Sequence, residues 1–128
     1  MLALESDNGM LPLKGWGFNG TDSARQTVRQ IASLMKSLGG DEITDHFDGA
    51  DIQASVRAGG IPAISPELDM HRYFVIHHTP ADTIDKIDPG EMARCIAAIA
   101  SMAYVVADMP QTLERSKPTT GRGGGPGQ

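Results

Sequence analysis

The stretch of residues 88–110 constrains the fold of this chain most, because it specifies a long helix that is apolar on most of its surface. Asp88 suits the N-cap, Pro89 suits the first helical position, and Glu91 follows at the spacing of a capping box. Apolar residues then recur at helical spacing until Pro110. The stripe consists of Met92, Ile96, Ile99, Ala103 and Val106, widened by Cys95, Ala100 and Met102. Such a helix needs a large apolar surface to cover, which favours a β-sheet as its neighbour.

Three short apolar runs supply candidate strands for that sheet. They span residues 2–4, 61–64 and 73–76. Each is too short for an independent helix and is followed by polar or turn residues, which is typical of buried strands. Pro62 interrupts the second run, so we place this strand near a sheet edge or place Pro62 at a strand start.

Helices and loops separate these runs. Thr21 suits the N-cap of a helix that we extend to Leu38, where a pair of glycines stops it. Its apolar face consists of Ala24, Val28, Ile31, Met35 and Leu38. Residues 51–58 predict a short helix, whereas residues 8–20, with four glycines, have the composition of a loop. Alternating strands and helices predict an α/β layered fold over residues 1–115, followed by a disordered Gly/Pro-rich tail over residues 116–128.

Composition and charge exclude several classes of function. The net charge of −5 and the pI near 5.2 argue against binding to nucleic acid, because an acidic chain repels phosphate backbones. We expect no membrane span, since no apolar run approaches about 18 residues. The N-terminal residues lack the basic start of a signal peptide. Cys95 is the only cysteine, which rules out an intrachain disulfide and a cysteine-rich zinc site.

Potential metal ligands follow two of the predicted strands. Asp7 comes shortly after the first apolar run, and His77 and His78 come directly after the third. In open α/β folds, sites lie at the carboxyl ends of strands. Carboxylate oxygen and imidazole nitrogen are suitable zinc ligands. From the residues alone the alternative stays open that Asp7 caps a loop and that the histidines pack at a surface.

Five strings in the sequence resemble one family. Residues 73–83 (YFVIHHTPADT) form the most specific of them, and the remaining four are residues 3–7 (ALESD), 49–52 (GADI), 58–62 (AGGIP) and 104–110 (YVVADMP). These strings are similar to the clan MH zinc exopeptidases, the group of bacterial aminopeptidases and plasma glutamate carboxypeptidase, and most of all to its carboxypeptidase Q-like branch. The resemblance covers roughly residues 2–115.

The resemblance implies a fold and an activity. The fold is a three-layer αβα zinc-exopeptidase fold with a mostly parallel mixed sheet, of which this chain would be the C-terminal portion. The activity is hydrolysis of a terminal peptide bond by a water molecule that two zinc ions activate. The partner would be a peptide or dipeptide substrate in the complete enzyme. Members of the family are often secreted or periplasmic, while this sequence leaves the compartment unknown.

The resemblance also assigns zinc ligands. By it, Asp7 corresponds to the second aspartate ligand and His78 to the second histidine ligand of the family. The first histidine, the bridging aspartate and a Glu-Glu pair that contains the general base lie upstream in the family and have no counterpart here. We therefore assign no catalytic residue to this chain. Val75 stands where relatives often carry an acid.

Four residues need a choice of role. Side chains next to each other in an extended segment point to opposite faces, so only one of the two histidines can readily face the metal. The family match selects His78, and His77 is left to packing or to contact with a ligand. Asp82 could hold the loop after His78 through local hydrogen bonds. Asp51 could orient the same loop, although we favour a role at the start of a helix.

Two functional hypotheses remain at this point. The chain is either part of a peptide-cleaving zinc hydrolase, inactive when isolated, or a non-catalytic interaction module on a peptidase-like scaffold, of which the transferrin receptor ectodomain is an example. Retention of both Asp7 and His78 favours the hydrolase. The apolar helix, if uncovered, predicts self-association.

Overall fold

The structure, a computed structural model, describes residues 1–8 and 11–119. In these ranges the main elements follow one another as β1 (Ala3–Leu4), β2 (Leu13–Asn19), α1 (Asp22–Ser33), β3 (Ile43–Thr44), α2 (Gln53–Gly59), β4 (Ala63–Leu68), α3 (Met70–Ile76) and α4 (Pro89–Asp108). Two 3-10 turns lie at Lys36–Leu38 and Ile84–Lys86. The predicted α/β class is confirmed.

The four strands form one mixed sheet in the order β1-β4-β2-β3. The pairs β1/β4 and β2/β3 are parallel, and the central pair β2/β4 is antiparallel. Pro62 precedes β4 and therefore marks a strand start, as one of the two predicted alternatives has it. Pro66 lies inside β4, opposite Trp16 of β2. It is tolerated there because β1, the neighbour on the other side, pairs with β4 only at Ala63 and Ile64.

The prediction of a loop over residues 8–20 is wrong, because β2 occupies most of this stretch. Its glycines are required by neighbouring backbone: a Cβ on Gly17 would lie 1.9 Å from the carbonyl oxygen of His46. A Cβ on Gly15 would lie 2.8 Å from the carbonyl oxygen of Glu42. Trp16 and Phe18, between and after these glycines, are buried in the core. The glycines therefore reflect close approach of another chain segment and not a turn.

Helix α1 begins as predicted and ends early. The hydroxyl oxygen of Thr21 accepts a hydrogen bond from the Ala24 N–H at 3.2 Å, as an N-cap does. The helix ends at Ser33, and the predicted continuation to Leu38 is replaced by a 3-10 turn. Gly39 closes that turn in the left-handed region, with φ of 81°. The predicted short helix over residues 51–58 is present as α2, shifted to Gln53–Gly59.

The prediction of a third strand over residues 73–76 is wrong, because these residues form the C-terminal half of helix α3. Strand β4 continues to Leu68, four residues beyond the predicted end, so the chain has already crossed the sheet when it reaches Tyr73. A run of four apolar residues does not distinguish a strand from a helix face. Arg72 fastens α3 to α4 through two hydrogen bonds to the Glu91 carboxylate, at 2.8 and 3.0 Å.

Helix α4 keeps its predicted N-cap but not the complete capping box. The Asp88 carboxylate accepts a hydrogen bond from the Glu91 N–H at 2.8 Å. The Glu91 side chain binds Arg72 instead of reaching back to the cap. The buried residues of the helix are Cys95, Ala98 and Met102.

The predicted stripe on α4 is therefore correct only in part. Met92 and Ile96 are exposed, and Ile99 and Val106 are partly buried. The sheet-facing line runs through Ala98, whose small side chain allows the helix to approach the core containing Trp16 and Phe18. Burial raises the pKa of the Cys95 thiol above its ordinary value.

We expected no segment long and apolar enough to cross a membrane. By length and composition alone this expectation is wrong, because helix α4 meets both criteria. Helix α4 has 20 residues and is apolar along most of its length, and 17% of its most apolar stretch is buried within the described residues. A helix that packs on a sheet meets the same criteria. In the structure, α4 packs against the core of the fold through Cys95, Ala98 and Met102.

The chain after α4 returns to α2. Leu113 is buried, and the Glu114 carboxylate accepts a hydrogen bond from the Thr21 hydroxyl at 3.0 Å. The Ser116 N–H donates to the Gly60 carbonyl oxygen at 2.9 Å, and the Thr119 N–H donates to the carbonyl of Arg57 at 3.1 Å. The predicted tail therefore begins with residues that touch the fold, and its remainder, residues 120–128, lies outside the described residues.

Candidate functional site

A cavity of about 290 Å³ lies where the segment after β1 meets α3 and the loop that follows α3. It combines charged, imidazole and apolar side chains. Its lining consists of Asp7, Asn8, Leu11, Tyr73, Ile76, His77, His78, Asp82, Thr83, Lys86 and Ile87. The structure thus brings Asp7 and both predicted candidate histidines to one place.

Strand β1 delivers Asp7 to this cavity. The strand pairs with β4, and the Glu5 N–H extends the pairing by donating to the Ile64 carbonyl oxygen at 3.2 Å. The Glu5 carboxylate accepts hydrogen bonds from the N–H groups of Asp51 and Ile52, at 3.4 and 3.1 Å. These bonds hold the end of β1 against the start of α2, and the exposed Asp7 follows two residues later.

The last turn of α3 and the two histidines that follow it form the aromatic side of the cavity. The Tyr73 and His77 rings stack with centroids 4.4 Å apart and an interplanar angle of 28°. The His77 and His78 rings stack at 3.7 Å and 25°. His78 has a φ of 56°, the only positive φ of a non-glycine residue in the described part of the chain.

The argument that selects one histidine by opposite faces of a strand is therefore wrong. The segment is not extended, because α3 ends at Ile76 and His77 caps it by donating to the Tyr73 carbonyl oxygen at 2.9 Å. The turn that follows places both imidazoles in the cavity lining. The choice of His78 now depends on the resemblance and on its left-handed backbone, which costs free energy and is often found at functional sites.

Thr79 holds the loop after the histidines. Its hydroxyl donates to the Ile76 carbonyl oxygen at 2.6 Å and accepts from the Ala81 N–H at 3.2 Å. Asp82 contributes its N–H, which donates to the Thr79 carbonyl oxygen at 3.0 Å. The side chain that closes the turn is that of Thr79, while Asp82 is one of the residues that line the cavity.

Acidic groups surround the aromatic side of the cavity. The pKa of Tyr73 is raised above its ordinary value by burial first, and then by the negative charges of Asp7, Asp48 and Asp82. Lys86 is the cation in the lining, and it pairs with Asp85, whose pKa falls to about 2 through the hydrogen bonds from Lys86 and from the Thr83 hydroxyl. An acidic cavity of this kind favours binding of a cation.

Sequence reasoning missed Tyr73 and Thr79 as parts of the site. Tyr73 precedes His77 by one helical turn, a signal that is lost when the run is interpreted as a strand. Thr79 could have been found from the sequence, because a threonine hydroxyl in a turn often accepts a hydrogen bond from the N–H two residues later, here that of Ala81.

Comparison with known proteins shows which proteins this chain is similar to. No protein-family profile matches the chain. Carboxypeptidase Q of Homo sapiens is 36% identical over 115 residues, which cover 90% of this chain and 24% of that protein. Carboxypeptidase Q of Xenopus laevis is 34% identical over 114 residues, which cover 89% and 24%. The crystal structure of a peptidase M28 precursor from Shewanella amazonensis SB2B matches with a TM-score of 0.79 and 30% identity, over 92% of this chain and 27% of that chain.

This chain resembles the clan MH exopeptidases, and the resemblance is to their C-terminal part.

The match to the clan MH exopeptidases is partial in length. The chain spans about a quarter of the curated relatives and of the M28 peptidase structure. Among residues 1–8 and 11–119, no group of three or more His, Cys, Asp or Glu side chains is arranged to hold a metal ion. The described residues thus provide a cavity with two candidate ligands and not a complete metal centre.

Proposed function

We propose that this chain supplies one wall of the active site of a two-zinc exopeptidase, with Asp7 and His78 as ligands to the metal ions. The observation that carries this proposal is that both side chains line the same cavity although they belong to different parts of the fold. The relatives in sequence are carboxypeptidases, and the relative in structure is a peptidase. The substrate is accordingly a peptide or dipeptide cleaved at a terminal bond.

The donor set fits zinc in type and falls short in number. Carboxylate and imidazole are both established zinc ligands, and the acidic surroundings favour a cation. A tetrahedral site needs four ligands, and the described residues offer no group of three. The remaining ligands, and the glutamate that acts as general base, are therefore expected from polypeptide outside this chain.

Zinc bound in such a site supplies a Lewis acid and a water molecule of lowered pKa. The residues of this chain hold and surround it. Asn8 donates a hydrogen bond to the Asp48 carboxylate at 2.9 Å, which fixes the backbone next to Asp7. Leu11 and Ile87 contribute an apolar part of the lining that accepts a substrate side chain and keeps water away from the ligands.

Two uncovered surfaces support the view that the chain works as part of a larger unit. β1 forms one end of the described sheet and pairs only with β4. The outer face of α4, defined here by Met92, Ile96 and Tyr104, is exposed. A further part of a clan MH exopeptidase would cover both surfaces, and without it the outer face of α4 is a site for self-association.

The coding sequence upstream of this chain offers the first test. An in-frame stretch with a His-x-Asp string and an adjacent Glu-Glu pair would supply the missing ligands and the general base. A longer reading frame that contains neither string would count against the proposal.

A variant of the cavity carboxylate offers the second test, made in the longest translation product that contains this chain. Asp7→Ala should reduce dipeptide hydrolysis at least 100-fold, because loss of a catalytic metal removes most of the rate enhancement. Asp51→Ala is the matched control, since Asp51 is exposed and makes only a backbone contact to Glu5. Chelation should abolish the activity of the parent and of the control, and added zinc should restore it.

The alternative is a non-catalytic module on the same scaffold. Its support is the lack of a three-ligand group among the described residues. It predicts a folded full-length product that hydrolyses no dipeptide and binds no zinc in the parent, the control and the Asp7→Ala variant alike.

A further inference from the structure

The rings of Tyr73, His77 and His78 form a column beside the cavity. Tyr73 stacks on His77 at 4.4 Å, and His78 stacks on His77 at 3.7 Å. Two rings at these distances cannot share one face of the middle imidazole without overlapping, so Tyr73 covers one face of His77 and His78 covers the other. We refer to these three side chains as the ring column.

We infer that Tyr73 and His77 are positioning residues that hold the His78 imidazole in place through the ring column. This inference deepens the proposed function and rests on the role of His78 as a metal ligand. In this inference His77 contacts the proposed metal ligand His78 by ring stacking. Tyr73, to which the sequence assigned no role in the site, supports His77 from the other side.

The backbone at His78 explains why such a device is needed. A non-glycine residue with φ of 56° is in the left-handed region, which is unfavourable for an L-residue unless its surroundings hold it there. Thr79 fixes the chain on the C-terminal side by bonding to the Ile76 carbonyl oxygen. The His77 ring fixes the side chain by covering one face of the imidazole. Backbone and ring are thus restrained independently.

Helix α3 in turn restrains His77. Its N–H donates to the Tyr73 carbonyl oxygen at 2.9 Å, and its Nε2 lies 3.5 Å from the Tyr73 hydroxyl. With both ring faces covered and one nitrogen close to Tyr73, His77 is committed to the column. Stacking covers ring faces and leaves the in-plane nitrogens of His78, the metal ligand under the proposed function, free to bind a metal ion.

The test uses the 128-residue chain and Zn²⁺ alone as the probe, followed by NMR of the imidazole ring signals. His77→Ala should move the His78 ring signals toward those of an unstructured histidine peptide and weaken Zn²⁺ binding about 10-fold, the order of effect of losing a contact that orients a ligand. His77→Phe keeps a ring in the column, so it should retain the His78 signals and Zn²⁺ affinity within about 2-fold. Tyr73→Phe should behave like the parent, and Tyr73→Leu should weaken binding.

Val75→Ala is the control, because Val75 belongs to the same helix, is 74% exposed, does not line the cavity and has no ring to pack on the column. It should leave the His78 signals and Zn²⁺ affinity unchanged. Amide signal dispersion reports whether each variant is folded, and Tyr73→Leu carries the test if His77→Ala unfolds.

Two outcomes would overturn the inference. The first is a folded His77→Ala variant with the His78 signals and Zn²⁺ affinity of the parent. The second is a His77→Phe variant as impaired as His77→Ala, because the nitrogen atoms of His77 would then matter and not its ring. Failure of the proposed function is recognised separately, as a His78→Ala variant that binds Zn²⁺ like the parent.

Discussion

Asp7 and His78 line the same cavity, although Asp7 follows strand β1 and His78 follows helix α3. Neither element alone places its residue in the cavity. β1 is held by β4 and by the hydrogen bonds that the Glu5 carboxylate accepts from the N–H groups just before α2, and α3 is held by the ion pair of Arg72 with Glu91. The candidate site therefore depends on the assembly of the sheet and on α4 packing against it.

The isolated chain should show no peptidase activity. Two ligands do not close a tetrahedral zinc site, and the described residues include no group of three. Purified chain with added zinc, assayed against a panel of dipeptides, checks this prediction. Robust turnover that chelation abolishes and that Asp7→Ala lacks would mean that the chain builds a complete site.

The isolated chain should also self-associate through the outer face of α4. Ile96 is 46% exposed and Tyr104 is 70% exposed, on the side of the helix away from Ala98. Replacing both Ile96 and Tyr104 with lysine should shift the chain toward monomer in light scattering, because the apolar face is removed. Replacing Leu34 with lysine is the control, because Leu34 is a large apolar side chain that is 73% exposed at the end of α1 and is not part of the outer face of α4. This variant should leave association unchanged. Equal association of both variants would exclude this face.

Gly17→Ala should destabilise the fold by about 1–3 kcal/mol or more, because its Cβ would lie 1.9 Å from the His46 carbonyl oxygen and neither backbone can yield cheaply. Gly90→Ala is the matched control. Gly90 is exposed in the first turn of α4, and its Cβ would meet the Asp88 carboxylate at 3.1 Å, so we expect no loss or a gain of up to about 1 kcal/mol. Urea unfolding of both variants measures the difference, and equal stability would contradict the close approach at β2.

The tail should be dispensable after Ser116. Ending the chain there removes the bond from Thr119 to Arg57, a single backbone bond at an exposed position, and should lower the melting temperature by only a few degrees at most. Ending it after Leu113 also removes the hydrogen bond that Thr21 donates to Glu114 and the one that Ser116 donates to Gly60, and should lower the melting temperature further. Thermal unfolding of the two truncations compares them. A large drop for the first truncation would show that the later residues pack on the fold.

The sequence predicted the parts of the fold that are set locally. The helix starts at Thr21 and Asp88 were correct, because an N-cap bonds to an N–H only three residues away. β2 was missed because its glycines are required by the close approach of the Glu42 and His46 backbone, and these residues are distant in sequence. A contact of this kind leaves no local pattern.

Only part of the candidate site could be predicted from the sequence. Asp7 and His78 came from a resemblance, and the structure brings them to one cavity. A strand over residues 73–76 does not predict the stacking of Tyr73 with His77, because an extended segment would hold the two rings about 13 Å apart.

Zinc content of the longest translation product that contains this chain tests the central claim most directly. His78→Ala should lose at least one of the two bound ions, because it removes a ligand, and should lose hydrolysis with it. His77→Ala should retain its zinc at saturating metal, because His77 positions the ligand through its ring. A His77→Ala variant without zinc beside a His78→Ala variant with the full content of the parent would contradict the assignment.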